Sequence, residues 1–331
     1  MKKEQILTRL IACAAALCLL STGCSGDPAS GSNKTIKIGI LQIVDHVALD
    51  ASRQGFIDEL ANQGYVDGQN IQIDYQNAQG DQSNLKAMSQ KLVSDKSDLI
   101  LAIATPSGQS VAAETQDIPI VITAVTDPKD AGLVNSNEKP GTNVTGTSDM
   151  TPVALQLDLM LEVLPDVKTV GIMYNSGEVN SKIQGDLAVE KAAALGLQYE
   201  VATVTSTNDV AQVAESIASR VDVIYVPTDN VIASSMPLLT KITDEHSVPV
   251  IAGEEGMLEG GGLITVGINY YSLGLMTGEM AVKILKGESQ PQDMPIQYLD
   301  TSSIVVNKVV ADRLGITIPQ NILDSAERII E

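Results

Sequence analysis

The 331-residue chain has no tryptophan, one phenylalanine and two histidines. Its three cysteines, Cys13, Cys18 and Cys24, all precede residue 25. The rest of the chain therefore has no disulfide framework, no Cys–His nucleophile pair and no thiolate metal set. Basic residues are also scarce, with 21 Lys and Arg against 41 Asp and Glu, a formal net charge of −20. A field of that sign repels phosphate backbones, so nucleic acid is not an expected partner. No apolar run reaches the ~20 residues that a membrane span needs. There is no G-x-G-x-x-G after the first strand, no Walker loop, no G-x-S-x-G elbow and no H-E-x-x-H. No cofactor and no metal are expected, and binding is favoured over catalysis. The 44% hydrophobic content is nevertheless ample for folded cores.

The amino terminus has its own pattern. Lys2, Lys3 and Arg9 precede an apolar run, Leu10 to Leu20, of secretory-signal length. Ser21, Thr22 and Gly23 then lead to Cys24. This resembles a bacterial lipobox, although Ser21 stands where a Leu is usual. The expectation is a signal peptide over 1–23, a lipidated Cys24 and a flexible tether over 24–34. The alternative is an ordinary signal peptide with an incidental cysteine. Loss of the leader takes the net charge from −20 to −22. The membrane would then be reached through the lipid only.

From Thr35 on, short β-rich runs alternate with helical patterns. Five runs cover 35–43, 70–78, 98–104, 118–125 and 143–148; five more cover 167–174, 199–204, 221–226, 248–253 and 262–268. Leu49, Phe56, Ile57 and Leu60 share a helix face, and Gly64 suits its end. Nearly continuous apolar strands alternating with helices predict parallel sheets covered on both faces. Two series in about 300 residues predict two doubly wound α/β lobes, though one large ten-stranded sheet is the alternative. A final segment, extended over PIQYLDTSSIVV and helical around Asp324 to Ile330, would recross between lobes.

Ligands of open parallel sheets bind beyond the carboxyl ends of the strands. The first series places His46, then Thr105, Ser107 and Gln109, then Thr126 and Asp127, then Ser148 at such ends. The second places Glu178, Asn180 and Ser181, then Asp229. Each loop also opens a helix, and Ser, Thr, Asp and Asn are common N-caps, so capping competes with ligand contact. The TPSGQS loop has the better binding case, because a helix N-terminus presents N–H groups to an anion.

The motifs AIATPSGQS, AVTDPKDAGLV, NVTGTSDMTPV, NSGEVNS, VPTDN and GINYYSLG, in this order, resemble the substrate-binding proteins of ABC transporters in the tryptophan/tyrosine-binding (TrpX-like) family. The resemblance spans nearly the whole chain after the leader. It implies the type I periplasmic-binding-protein fold, with two lobes joined by three crossings, near 148–151, 267–270 and 300–303. Lobe 1 would comprise 35–148 and 270–300, and lobe 2 would comprise 149–269 and 301–331. The family often has His-Pro-x-Leu-Asp after the first strand, and here Val47 replaces the proline. The implied function is extracytoplasmic solute binding for an ABC importer. By the same resemblance the implied ligand is an α-amino acid, aromatic in kind (Trp-, Tyr- or Phe-like). Thr105 and Ser107 would meet its carboxylate. Asp229, helped by Asn180 and Ser181, would meet its ammonium, and Tyr174, Tyr225 and Tyr270 would line a side-chain pocket. Permease and ATPase subunits are the implied partners of a monomer. The rival readings are a receptor for a sugar, nucleoside or other solute, and a lipid-anchored hydrolase.

Overall fold

The computed structural model describes residues 35–300 and 302–331. The expected leader, the lipidated Cys24 and the tether lie outside these residues, as does Thr301.

Strands β1 (Ile36–Gln42), β2 (Ile71–Asn77), β3 (Leu99–Ile103), β4 (Ile120–Val125) and β5 (Val144–Ser148) belong to one sheet. Strands β6 (Thr169–Asn175), β7 (Gln198–Val204), β8 (Val223–Val226), β9 (Val250–Ala252) and β10 (Ile264–Gly267) belong to a second. The chain then returns to the first sheet with β11 (Gln297–Tyr298), and to the second with β12 (Ser303–Asn307) and β13 (Ala326–Ile330). Every residue of β3, β4 and β8 is buried. Helices cover both faces of such strands, which is why they read as unbroken apolar runs rather than as an alternation.

The helices are α1 (Val47–Asn62), α2 (Gln82–Ser94), α3 (Thr105–Glu114), α4 (Val153–Val163), α5 (Val179–Ala194), α6 (Thr207–Ala218), α7 (Asn230–Ser234), α8 (Met236–Glu245), α9 (Gly256–Glu259), α10 (Tyr270–Leu285), α11 (Lys308–Leu314) and α12 (Gln320–Ser325). Leu49, Phe56 and Leu60 of α1 are buried with Leu273 of α10 in the core of the first sheet. Gly55, Gly274 and Gly278 let these two helices approach until backbone meets backbone. The second sheet has separate cores on its two faces.

The sheet orders are β11-β5-β4-β3-β1-β2 and β13-β12-β10-β9-β8-β6-β7. Within each series the order is thus that of a doubly wound fold, reversing between β1 and β3 and between β6 and β8. These are the switch points at which adjacent loops diverge and leave a crevice.

Two features of the tail depart from the sequence reading. Strand β12 is antiparallel to β10, so the second sheet is mixed. The chain enters β12 from the cleft side, where β10 ends, and can only run back. The terminal helix ends at Ser325, and the residues expected to continue it form β13, paired with β12. The unpaired edge of β12 offers backbone groups to any following extended segment. The β-branched Ile329 and Ile330 suit that role.

Candidate functional site

The two switch points face each other and enclose a small chamber. Loop β1–α1 contributes His46, and β4 and the turn after it contribute Ala124 and Thr126. Asp149 lies just after β5, and Tyr270 opens α10, so both sit where the chain passes between sheets. From the second sheet come Asn180, Thr228, Asp229, Asn230 and Glu254. The chamber volume is about 20 Å³. That admits one group the size of a water molecule. Beside it runs a groove of about 710 Å³ between α3 and the loops after β6 and β8, with Asn230 lining both spaces. Small-molecule sites typically span ~300–1,000 Å³, so the groove has room for a ligand and the chamber for one end of it.

Backbone strain sharpens the first-sheet wall. Ala104 has φ 78° and Ala124 has φ 55°, both left-handed without being glycine. They stand at the carboxyl ends of β3 and β4, one before α3 and one in the chamber wall. Such conformations cost ~1–3 kcal/mol each and persist where the surroundings enforce them. The turn at Ala104 aims the start of α3 at the cleft. Thr105 Oγ1 and Ser107 Oγ in its first turn are buried and have no hydrogen-bond partner. Two free hydroxyls join the unpaired N–H groups and positive dipole end of a helix N-terminus.

The second-sheet wall is acidic. Glu178 accepts from Asn175 Nδ2 (3.1 Å), Asn180 Nδ2 (3.3 Å) and Asn230 Nδ2 (2.5 Å). Burial, reinforced by the charge of Asp229, pushes its carboxyl up to about 7. Burial pushes Glu254 up to about 8; Oε2 accepts from the Gly256 N–H, and Oε1 has no partner. Asp149 is also raised by burial, and accepts from Thr126 Oγ1 (3.1 Å) and Tyr270 OH (2.8 Å). No lysine or arginine lines the chamber. Burial holds the His46 imidazole down to about 4, so it stays neutral near pH 7. An anion-attracting wall thus faces a cation-attracting one.

The residues singled out in the sequence fall into three groups. His46, Thr126, Asn180, Asp229 and Tyr270 line the chamber, while Gln109 and Glu178 line the groove. Thr105 and Ser107 are buried in the first turn of α3 and line neither space, although Pro106 between them lines the groove. The remainder are held by local bonds. Asp127 accepts from the Lys129 and Asp130 N–H groups, Ser148 Oγ donates to the Thr126 carbonyl, and Ser181 Oγ donates to the Thr228 carbonyl. Direct links across the cleft are His46 Nε2 to Asn230 Oδ1 and Thr126 Oγ1 to Thr228 Oγ1, each at 3.4 Å.

Of the three tyrosines expected around a side-chain pocket, only Tyr270 lines the chamber. Tyr225 is fully buried, and its OH donates to Gln156 inside the second-sheet core. Tyr174 belongs to the same core, with its ring against Gly185. Strand side chains alternate between faces, and both of these point to a helix-covered face. Asp149 and Glu254 were not among the expected binding residues. Each is a carboxylate within two residues of a strand's carboxyl end, in GTSD and IAGE, which is the signal that marked Asp229.

Comparison with known proteins places this geometry in a family. Residues 37–330 match the model for "ABC transporter substrate binding protein", and the chain belongs to that family. It is 44% identical over 316 residues to a tyrosine-binding protein of Clostridioides difficile, covering 93% of this chain and 91% of that one. A Streptococcus pneumoniae protein solved in complex with L-Trp is 42% identical, with a TM-score of 0.86, over 89% of this chain and all of the other. The ligand-free, open structure of a Clostridium difficile substrate-binding protein with adhesive properties is 49% identical over 89% of this chain and 99% of that one. Its TM-score is only 0.67.

Proposed function

We propose that this chain is the extracytoplasmic receptor of an ABC importer and binds an α-amino acid, with an aromatic one preferred, between its two lobes. The carrying observation is the pair of buried, unpartnered hydroxyls of Thr105 and Ser107 at the start of α3, opposite a wall of buried carboxylates. A zwitterion needs that polarity: donors for its carboxylate and an anion for its ammonium. The relatives named for tyrosine and tryptophan support the same class. The overall likeness to the L-Trp complex (TM-score 0.86) exceeds that to the open, ligand-free protein (0.67), although the open protein is the more identical in sequence, which supports a closed arrangement of the lobes here. Lobe closure on the ligand is therefore part of this reading, and the closed form is what a permease would recognise. Anchoring through a lipidated Cys24 and a monomeric state complete it.

Thermal-shift screening of the protein against the standard amino acids and common sugars tests this. Tyrosine, tryptophan or phenylalanine is expected to raise the midpoint, with ~2.7 kcal/mol of stabilisation at a hundredfold excess over Kd. A rise with sugars, and none with any amino acid, would overturn the reading.

A further inference from the structure

We infer that Glu254, together with Asp149, is the seat of the ligand's ammonium, and that Asp229 is a structural cap whose charge is already committed. This rests on the amino-acid reading above and specifies which part of the ligand the chamber holds.

Three observations carry it. The first is bonding capacity. Asp229 Oδ1 accepts from the Ile232 N–H at 2.8 Å and Oδ2 from the Asn175 N–H at 2.5 Å, so both oxygens are engaged by backbone. Glu254 is 2% exposed, lines the chamber, and keeps Oε1 without a partner. A buried polar atom left unpaired is costly unless something arrives to pair with it. The second is size. About 20 Å³ suits an ammonium and excludes a carboxylate with its carbon chain, which the adjoining groove would hold instead. The third is charge. The groups around Glu254 are Asp149 at the crossing, Tyr270 on α10, the neighbouring Glu255, Asp229 on the same wall of the chamber, and His46 from the first-sheet side. None is a cation; Arg328 pairs with Glu259 instead. An entering ammonium would be the chamber's only positive charge. Because Asp149 and Tyr270 stand on two of the segments between the sheets, seating the ammonium there also ties ligand binding to lobe position.

A proton follows from the same arrangement. The free Glu254 carboxyl, held up to about 8, is mostly protonated at pH 7, and an adjacent ammonium favours its ionised form. Binding should therefore release on the order of one proton, to which Glu178 can add.

Calorimetry with L-tyrosine and L-tryptophan, and with their deamino analogues 3-(4-hydroxyphenyl)propionate and indole-3-propionate, tests the assignment. The wild type should favour the amino acids by a hundredfold or more. Glu254→Gln, which mimics the neutral acid, should lose at least thirtyfold in amino-acid affinity and much of that preference. Titrations at pH 7 in phosphate and in Tris should reveal proton release by the wild type that shrinks in the variant. Glu254→Gln binding within threefold of wild type, with unchanged proton release, would mean that Oε1 meets only a structural water, and would overturn the proposal. Equal affinity of the wild type for the amino acids and their deamino analogues would overturn it without recourse to any variant. If the wild type binds no amino acid, the functional reading itself fails, and the subsite falls with it.

Discussion

The Asp229→Asn protein is expected to be clearly less stable than wild type while binding its amino acid almost as tightly. The amide keeps one acceptor oxygen but replaces the other with an NH₂ group. In the wild type both oxygens accept from backbone, Ile232 N–H on one side and Asn175 N–H on the other. Whichever way the amide turns, one N–H then faces a donor. A buried group left unsatisfied costs ~1–3 kcal/mol, although Asn by itself caps helices about as well as Asp. Urea unfolding of the free protein should show this loss. Affinity should stay within about threefold. If Asp229 instead carried the ammonium, removing its charge would cost ~2–5 kcal/mol of binding, or roughly thirtyfold or more.

Ser107→Ala should have the opposite signature. Its hydroxyl is fully buried, and Oγ has no partner. Deleting it removes an unsatisfied group, so the free protein should be as stable as wild type or more so, by up to ~1–3 kcal/mol. Binding should suffer, because a hydrogen bond to a charged group contributes ~1.5–3 kcal/mol, or roughly ten- to hundredfold in affinity. A purely structural hydroxyl would move both quantities the same way. Stability rising while affinity falls marks a residue kept for a ligand, and the two measurements together separate the cases.

Much of this architecture was legible in the sequence because parallel strands covered on both faces leave an unmistakable trace. LILAI, IVITAV and VIYV are apolar throughout, and each is a strand buried at every residue. The tail was less legible. Whether Ala326 to Ile330 continues a helix or joins a sheet depends on the free edge of β12, which only the assembled fold provides. The same limit applies to Tyr225 and Tyr174. Their position near strand ends was readable, but the face on which each ring lies was not. The loop rule singled out Thr105, Ser107 and Asp229, yet it could not tell a carboxylate already saturated by backbone N–H groups from one with a free oxygen. Glu254 and Asp229 look alike in the chain, and only their hydrogen bonds separate them.

A crystal structure of the protein with L-tyrosine or L-tryptophan measures the central claim most directly. The ligand should lie between the lobes with its carboxylate on the first turn of α3, within hydrogen-bond reach of Thr105 and Ser107, and its ammonium against the acidic wall of the second lobe. A ligand bound outside the cleft, or one in the cleft that leaves both hydroxyls unpartnered, would contradict it.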